Sequence, residues 1–365
     1  MSESEPLSLA QRSPGANPAP PNETPTHLSE DQPGLGKLGV VVIGRNEGER
    51  LRRCLAALVG RAPWLVYVDS GSSDSSVELA ASMGVRVVEL DLSIPFTAAR
   101  ARNVGLIKLR ELDPSLELVQ FVDGDCELDS DWMAKASTQI LDDPSLAVVC
   151  GRLRERYPDA SIYNRLCDIE WNTPVGYAAT SGGIALMRIR ALSEVGGFNP
   201  DLIAGEEPDL CLRLRQRGYR ILRIDAEMAL HDANMKRAGQ WWKRCVRSGH
   251  AYAEGFTRHR HEPGRYYAKP VRSGLVWGAL VPTLALGLLW PSGGWSSILL
   301  ASYLVQALRI FRSSRRRGFS SADARLYAAS CVLSRFPTAY GELRYWAQRA
   351  MGKRSKIIEH KPAGS

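Results

Sequence analysis

The chain has 365 residues, 44% of them hydrophobic and 24% charged, with a formal net charge of +8. That composition supplies a sizeable core and excludes a wholly disordered or collagen-like chain. From Arg309 to Lys361 there are thirteen Lys and Arg against three Asp and Glu, and the remainder holds 34 against 36, so a nucleic-acid-binding core is disfavoured and the basic tail calls for an anionic partner, membrane lipid first.

Residues 1–36 contain seven of the 21 prolines and no aromatic side chain. They cannot bury enough apolar area to offset chain entropy, and the segment reads as disordered. It has no basic start followed by an apolar run, so it does not read as a signal peptide. The seven cysteines are scattered with no Cys-x-x-Cys pair, which favours reduced thiols over a disulfide or zinc framework.

Order is expected from residue 38. The β-branched run 38–43 is a strand buried on both faces. Leu51, Leu55 and Leu58 follow at helical spacing, then a strand at 64–68 ending on Asp69. Ser72-Ser-Asp74 caps a helix at 75–83. A strand at 85–90, a helix at 97–112 and a strand at 118–122 complete a run of βαβ units, hence an α/β fold with a mostly parallel sheet. Further on, 146–150 reads as a strand, 162–171 as a helix, 181–187 as a turn and strand, and 207–217 as a helix stopped by Gly218. A basic, aromatic-bearing helix is expected at 238–256.

The chain changes character after residue 270. Residues 275–290 carry no charge, 291–294 form a Pro-Ser-Gly-Gly turn, and 295–307 are again uncharged. Each run is shorter than a ~30 Å hydrocarbon core requires. The expectation is a membrane hairpin over 270–311, either two short spans or a re-entrant loop; a buried helical pair is the other reading. Lys269, Arg272 and Arg309 flank the hairpin, which by charge bias places both flanks, and the body, in the cytoplasm. Residues 312–365 form a basic segment in which Leu326, Leu333, Phe336, Tyr340, Leu343 and Trp346 recur at helical spacing. It suits an amphipathic helix on lipid or one packed on the body, and Pro337 should kink or divide it.

The chemistry centres on Asp123-Gly124-Asp125, directly after an apolar strand. Two carboxylates one residue apart either share a hard divalent cation or bind one cation and one ribose hydroxyl, and the glycine admits a diphosphate. Open α/β sheets bind ligands at this edge.

With its neighbours, this motif resembles the family 2 glycosyltransferases of GT-A fold. The matching pieces are Val-Val-Ile-Gly-Arg-Asn-Glu at 41–47, Tyr-Val-Asp-Ser-Gly-Ser-Ser-Asp at 67–74, and Ala-Arg-Asn-Val-Gly at 101–105. They continue with Phe-Val-Asp-Gly-Asp at 121–125, Ser-Gly-Gly at 181–183 with Gly-Gly-Phe at 196–198, and Gly-Glu-Glu-Pro-Asp-Leu at 205–210. The resemblance spans about 38–256 and implies a domain over 37–260. It implies that Asn46, Glu47, Asp69, Arg102, Asp123, Gly182 and Gly183 serve the nucleotide-sugar donor. It makes Asp125, with Asp123 and His231, the holder of Mn²⁺ or Mg²⁺.

The same resemblance places the base at Glu206-Glu207. The family usually has Glu-Asp here, so Glu207 fills the base position with one extra methylene, and Asp209 is a reserve. A carboxylate must take the acceptor hydroxyl's proton as the donor bond breaks. Trp241, Trp242 and Arg244 could meet an acceptor sugar or its phosphate. The implied activity is inverting transfer of a sugar from a nucleoside diphosphate to a saccharide or lipid-linked hydroxyl, at a membrane, in exopolysaccharide or cell-envelope synthesis. Two alternatives stay open: a nucleotidyltransferase, and a non-catalytic nucleotide-sugar-binding assembly protein.

Overall fold

The computed structural model describes residues 35–262 and 266–353, so the expectation of disorder over 1–36 lies almost wholly outside the described residues. The strands are β1 Leu38–Gly44, β2 Trp64–Asp69, β3 Arg86–Glu89, β4 Leu118–Asp123, β5 Cys126–Leu128, β6 Leu146–Glu155, β7 Gly176–Tyr177, β8 Ala185–Arg188 and β9 Arg220–His231. The helices of the body are α1 Glu49–Ala56, α2 Ser76–Ser82, α3 Ala98–Leu112, α4 Trp132–Asp142, α5 Ile162–Trp171, α6 Ile189–Glu194, α7 Glu206–Gln216 and α8 Ala238–Arg258. After them come α9 Ala268–Leu275, α10 Val281–Gly287, α11 Ile298–Arg316, α12 Ser321–Leu333 and α13 Arg335–Ala350.

One sheet runs in the order β3-β2-β1-β4-β8-β6-β9-β5, with β7 beside β9. Through β4 it is parallel, as βαβ crossovers demand. Leu38 to Val42 are fully buried, so β1 is covered on both faces. The second half is mixed: β8 lies antiparallel to β4 and β6, and β9 runs parallel to β6 but antiparallel to β5. Local pattern shows little of this half. β5 is three residues long, and Arg223, Asp225 and Glu227 interrupt the apolar run of β9, which extends over twelve residues. Pairing on both sides holds β9 extended.

The C-terminal helices lock onto α8. A Cβ at Gly249 would overlap the Thr338 backbone, and one at Gly341 would overlap the Val246 carbonyl. The two helices thus touch backbone to backbone at reciprocal glycines. Helix α13 buries Pro337, Thr338, Ala339, Glu342 and Tyr345 and leaves Tyr340 and Leu343 exposed. Of the two readings of the amphipathic segment, the helix packed on the body is the one seen here, with Tyr340 and Leu343 left facing outward. The break between α12 and α13 falls at Ser334, just after Leu333, whose carbonyl Pro337 cannot serve because it has no N–H.

A helical hairpin forms where one was expected, but not as membrane spans. Among the described residues no helix is long and apolar enough to cross a membrane. The rising arm is α9, a π turn at Val276–Leu280 and the short α10. The descending arm, α11, has 19 residues, but Arg309, Arg312, Arg315 and Arg316 occupy its second half. Ser296 donates to the Ala285 carbonyl at 2.7 Å and pins the arms near their tip.

Two stability predictions follow from this bundle. Gly341→Leu should lower the unfolding free energy by about 1–3 kcal/mol through overpacking, whereas Gly239→Ala, with open space around it, should not; thermal unfolding separates them. Glu342 is wholly buried with neither oxygen hydrogen-bonded, and burial pushes its carboxyl up to about 8 against the pull of Arg335. The native state holds this proton more tightly than the unfolded chain, so unfolding free energy should fall as pH rises towards and through about 8. Glu342→Gln should flatten that slope in melts recorded across the range.

Candidate active site

The carboxyl ends of β1, β2 and β4 meet along one edge of the sheet. Asn46, just past β1, sits at φ 55°, and its side-chain oxygen accepts from the Ser73 amide at 2.7 Å. Asp69, at the end of β2, accepts from the Gly71 and Ser72 amides at 2.8 and 2.7 Å and from the Tyr67 hydroxyl at 2.9 Å. Asn46 and Asp69 thereby fix the loops after β1 and β2 around one recess. Glu47 is buried beside them, with its Oε2 3.0 Å from Arg50 Nε.

Arg102 projects from α3 and is 2% exposed. Its two terminal nitrogens donate to different carboxylates, Nη2 to Asp123 at 2.8 Å and Nη1 to Glu206 at 2.9 Å. Burial disfavours the guanidinium's charge, but Asp123 and Glu206 outweigh it and raise Arg102 further. In return, burial would raise Glu206, yet Arg102, with Arg247, holds it below its ordinary range. Gly183 lies directly on this bridge: a Cβ there would sit 2.9 Å from Arg102 Nη2 and 3.1 Å from Asp123 Oδ2. Gly182 turns the chain at φ 87°, a conformation that suits glycine. Arg102 thus directs both terminal nitrogens at protein carboxylates, the salt bridge that competes with its expected place against a diphosphate.

Asp125 is 4% exposed, and its Oδ2 lies 3.1 Å from His231 Nε2. The pairing of β5 with β9 sets Cys126 opposite His231, which is how two residues 106 positions apart meet. The Trp171 ring packs against the imidazole at 4.7 Å. Burial lowers the His231 pKa despite the surrounding carboxylates, so the ring is neutral and a nitrogen lone pair is available to a metal. Asp125, Cys126 and His231 offer ligand atoms within 4.8 Å of one another. Burial pushes the Cys126 thiol far above its ordinary range, so it stays protonated. The carboxylate and imidazole fit Mn²⁺ or Mg²⁺; the thiol does not.

Helix α7 starts at Gly205, which is left-handed, and presents three acids in its first turn. Glu207 accepts from the Ser181 amide at 2.6 Å, the Ser181 hydroxyl at 2.9 Å and the Cys211 thiol at 2.8 Å. Burial raises its pKa, opposed by these bonds. Glu206 and Glu207 therefore flank the Ser181–Gly183 turn from below. Asp209 is different: His259 Nε2 lies 2.7 Å from one of its oxygens and Arg213 donates to the other at 2.8 Å. It ties α7 to the end of α8, which leaves no reserve base at this position.

The expected acceptor residues also separate. Trp241 packs beside Tyr163, Cys167 and Met235, and Arg244 donates to Glu170 at 2.6 Å. Both join α8 to α5, a packing role beside the expected acceptor role; Trp242 is exposed. Sequence reasoning missed Cys126, whose place in the cluster depends on strand register, and Trp171, which carries no motif.

Residues 39–189 match the protein family described as Glycosyl transferase family 2. The succinoglycan biosynthesis protein ExoA of Rhizobium meliloti is 30% identical over 37% of this chain and 41% of its own length. The pre-mycofactocin glycosyltransferase of Mycobacterium tuberculosis is 24% identical over 87% of this chain and 66% of its own. The chain thus spans less than two thirds of either relative. Among solved structures, a mannosyltransferase of Pyrobaculum calidifontis in complex with GDP-Man and Mn²⁺ superposes with a TM-score of 0.56 at 19% identity, covering 84% of this chain and 87% of that one. That likeness concerns the fold. Residues 39–189 are accordingly similar to the family 2 glycosyltransferases, and the chain has an α/β GT-A-like fold.

Proposed function

We propose that this chain is an inverting glycosyltransferase that moves a sugar from a nucleoside diphosphate to an acceptor hydroxyl, saccharide or lipid-linked, in exopolysaccharide or cell-envelope synthesis on the cytoplasmic face of a membrane. One observation carries the reading. The Arg102 bridge holds Asp123 and Glu206 to either side of the Gly182–Gly183 turn, with Glu207 under the same turn and Asp125 and His231 alongside. A donor-binding edge and a base are thereby fixed relative to one another.

In this arrangement the recess formed by Asn46, Glu47 and Asp69 takes the nucleoside. Asp123 faces the ribose, with a third of its side chain open to solvent. A divalent cation held by Asp125 and His231 would supply positive charge to the leaving diphosphate. Glu207 removes the acceptor proton as the hydroxyl oxygen bonds to the anomeric carbon. The bond from that carbon to the diphosphate oxygen breaks, and its electron pair leaves with the diphosphate. One displacement inverts the centre. Burial raises the basicity of Glu207, which suits a base working near neutrality. The names of the two relatives, and the GDP-Man and Mn²⁺ of the solved mannosyltransferase, agree with a nucleotide-sugar donor.

The two other readings differ in what they need. A nucleotidyltransferase would use a basic phosphate loop after β1, whereas Glu47 and Glu49 make that loop acidic as much as basic. An assembly protein without turnover would not need Glu207.

Sugar nucleotides of GDP, UDP, dTDP and CMP, each with Mn²⁺ and with EDTA, should be compared by thermal shift. One nucleotide class should raise the melting temperature in a metal-dependent way, and Asp125→Asn should abolish the metal dependence. A flat panel would overturn the reading. Glu207→Gln should cut turnover at least a hundredfold while donor binding persists. The acid limb of the wild-type rate profile should lie above the usual carboxylate range, since turnover is lost as pH falls through the raised Glu207 pKa. Removing the guanidinium in Arg102→Leu strands the buried Glu206 and should cost about 3 kcal/mol of stability. Arg102→Lys should restore part of it, as read by denaturant unfolding.

A further inference from the structure

The tip of the hairpin is apolar, uncovered and framed by cations. No Asp, Glu, Lys or Arg occurs between Arg272 and Arg309. At the tip Trp290 is 94% and Trp295 78% exposed, and Leu304 on the descending arm is 69% exposed. Leu286, Ile298 and Leu308 lie open on the same two arms. A lone exposed leucine is ordinary; a continuous apolar tip of two helices with outward tryptophans is a contact surface.

Where the hairpin leaves the body sets its reach. Gly274 seats on Glu342 and Gly278 on the Arg335–Ala339 turn of α13, so the rising arm is held up to about Leu280. The free rising arm is α10, seven helical residues or about 10 Å, followed by the turn at 288–290, and the descending arm from Ile298 to Leu308 is about 16 Å. Neither exceeds about half of a ~30 Å hydrocarbon core. At the root, Lys269 and Arg272 on one arm and Arg309, Arg312, Arg315 and Arg316 on the other are exposed. They form a basic collar that begins at Arg309, at the foot of the apolar arm, and extends along both arms away from the tip.

We propose that this hairpin docks the protein on an anionic bilayer by entering one leaflet only, with Trp290 and Trp295 leading and the arginine collar on the headgroup phosphates. The proposal specifies the membrane-surface part of the reading above and does not depend on its chemistry. Charge selects the occupant: a second copy would bring its own basic collar against this one, whereas anionic headgroups neutralise it. Each basic side chain near such a surface adds electrostatic attraction, and the apolar tip adds its burial.

The test is flotation of the full chain with vesicles of phosphatidylcholine, with and without phosphatidylglycerol. Binding should be at least tenfold tighter with the anionic lipid and should weaken with salt. Acyl-chain-brominated lipid should quench tryptophan fluorescence, and Trp290→Phe with Trp295→Phe should remove most of that quenching. Leu300→Glu with Leu304→Glu should stay off vesicles at an unchanged melting temperature. Alkaline carbonate should release the protein from the vesicles. Three results would overturn the proposal: no vesicle binding, a tip cysteine labelled from the far side of the vesicle, or a dimer in solution that Leu304→Glu disperses. A soluble sugar nucleotide's thermal shift uses none of these residues, so failure here and failure of the glycosyltransferase reading are distinguishable.

Discussion

The buried bridge of Arg102 governs the site. A guanidinium that is nearly inaccessible must be compensated, and here two carboxylates from distant parts of the chain do so, Asp123 after β4 and Glu206 at the start of α7. Leaving any member alone in that environment costs several kcal/mol. The donor-side strand edge and the base-bearing helix are therefore coupled by one side chain, and the fork geometry of arginine lets each carboxylate keep its own nitrogen. The absence of a side chain at Gly183 lets the 181–183 turn close over the bridge, and Glu207 then fixes that turn through Ser181. Asp123, the 181–183 turn, Glu206 and Glu207 are one connected assembly.

The mixed half of the sheet completes it. A wholly parallel sheet would end in loops free to vary in length. The antiparallel pairing of β5 with β9 instead sets His231 opposite Cys126, next to Asp125. The imidazole is half-buried, held against Asp125 and packed on Trp171, so its orientation is set within the protein.

The C-terminal helices are bound to the same body by a different device. At Gly249 and Gly341, α8 and α13 approach backbone to backbone, and Arg165 on α5 donates to Asp323 on α12 at 2.8 Å. The bundle forms a rigid base from which the hairpin projects. Its closest contacts are at glycines, while Tyr340 and Leu343 of α13 and the large apolar side chains of the hairpin tip remain outside.

Much was determined by sequence alone. The β-branched run of β1 and the apolar run of β4 read as buried strands, and the acidic pair after β4 marks a ligand edge because strand ends in parallel sheets open there. The uncharged hairpin and its flanking arginines were equally legible, since charge and hydropathy are local properties. Tertiary structure decided the rest. Whether Arg102 faced a diphosphate or two protein carboxylates depended on α3 and α7 meeting under β4. Asp209, Trp241 and Arg244 carry chemistry that suits a site, yet packing of α8 against α5 and α7 assigns them to joints. His231 reached Asp125 through strand register, and the hairpin's span was shortened by helix breaks and by α13 beneath it. Each of these is a contact between residues far apart in the chain, and no local pattern of side chains specifies which distant partner will arrive.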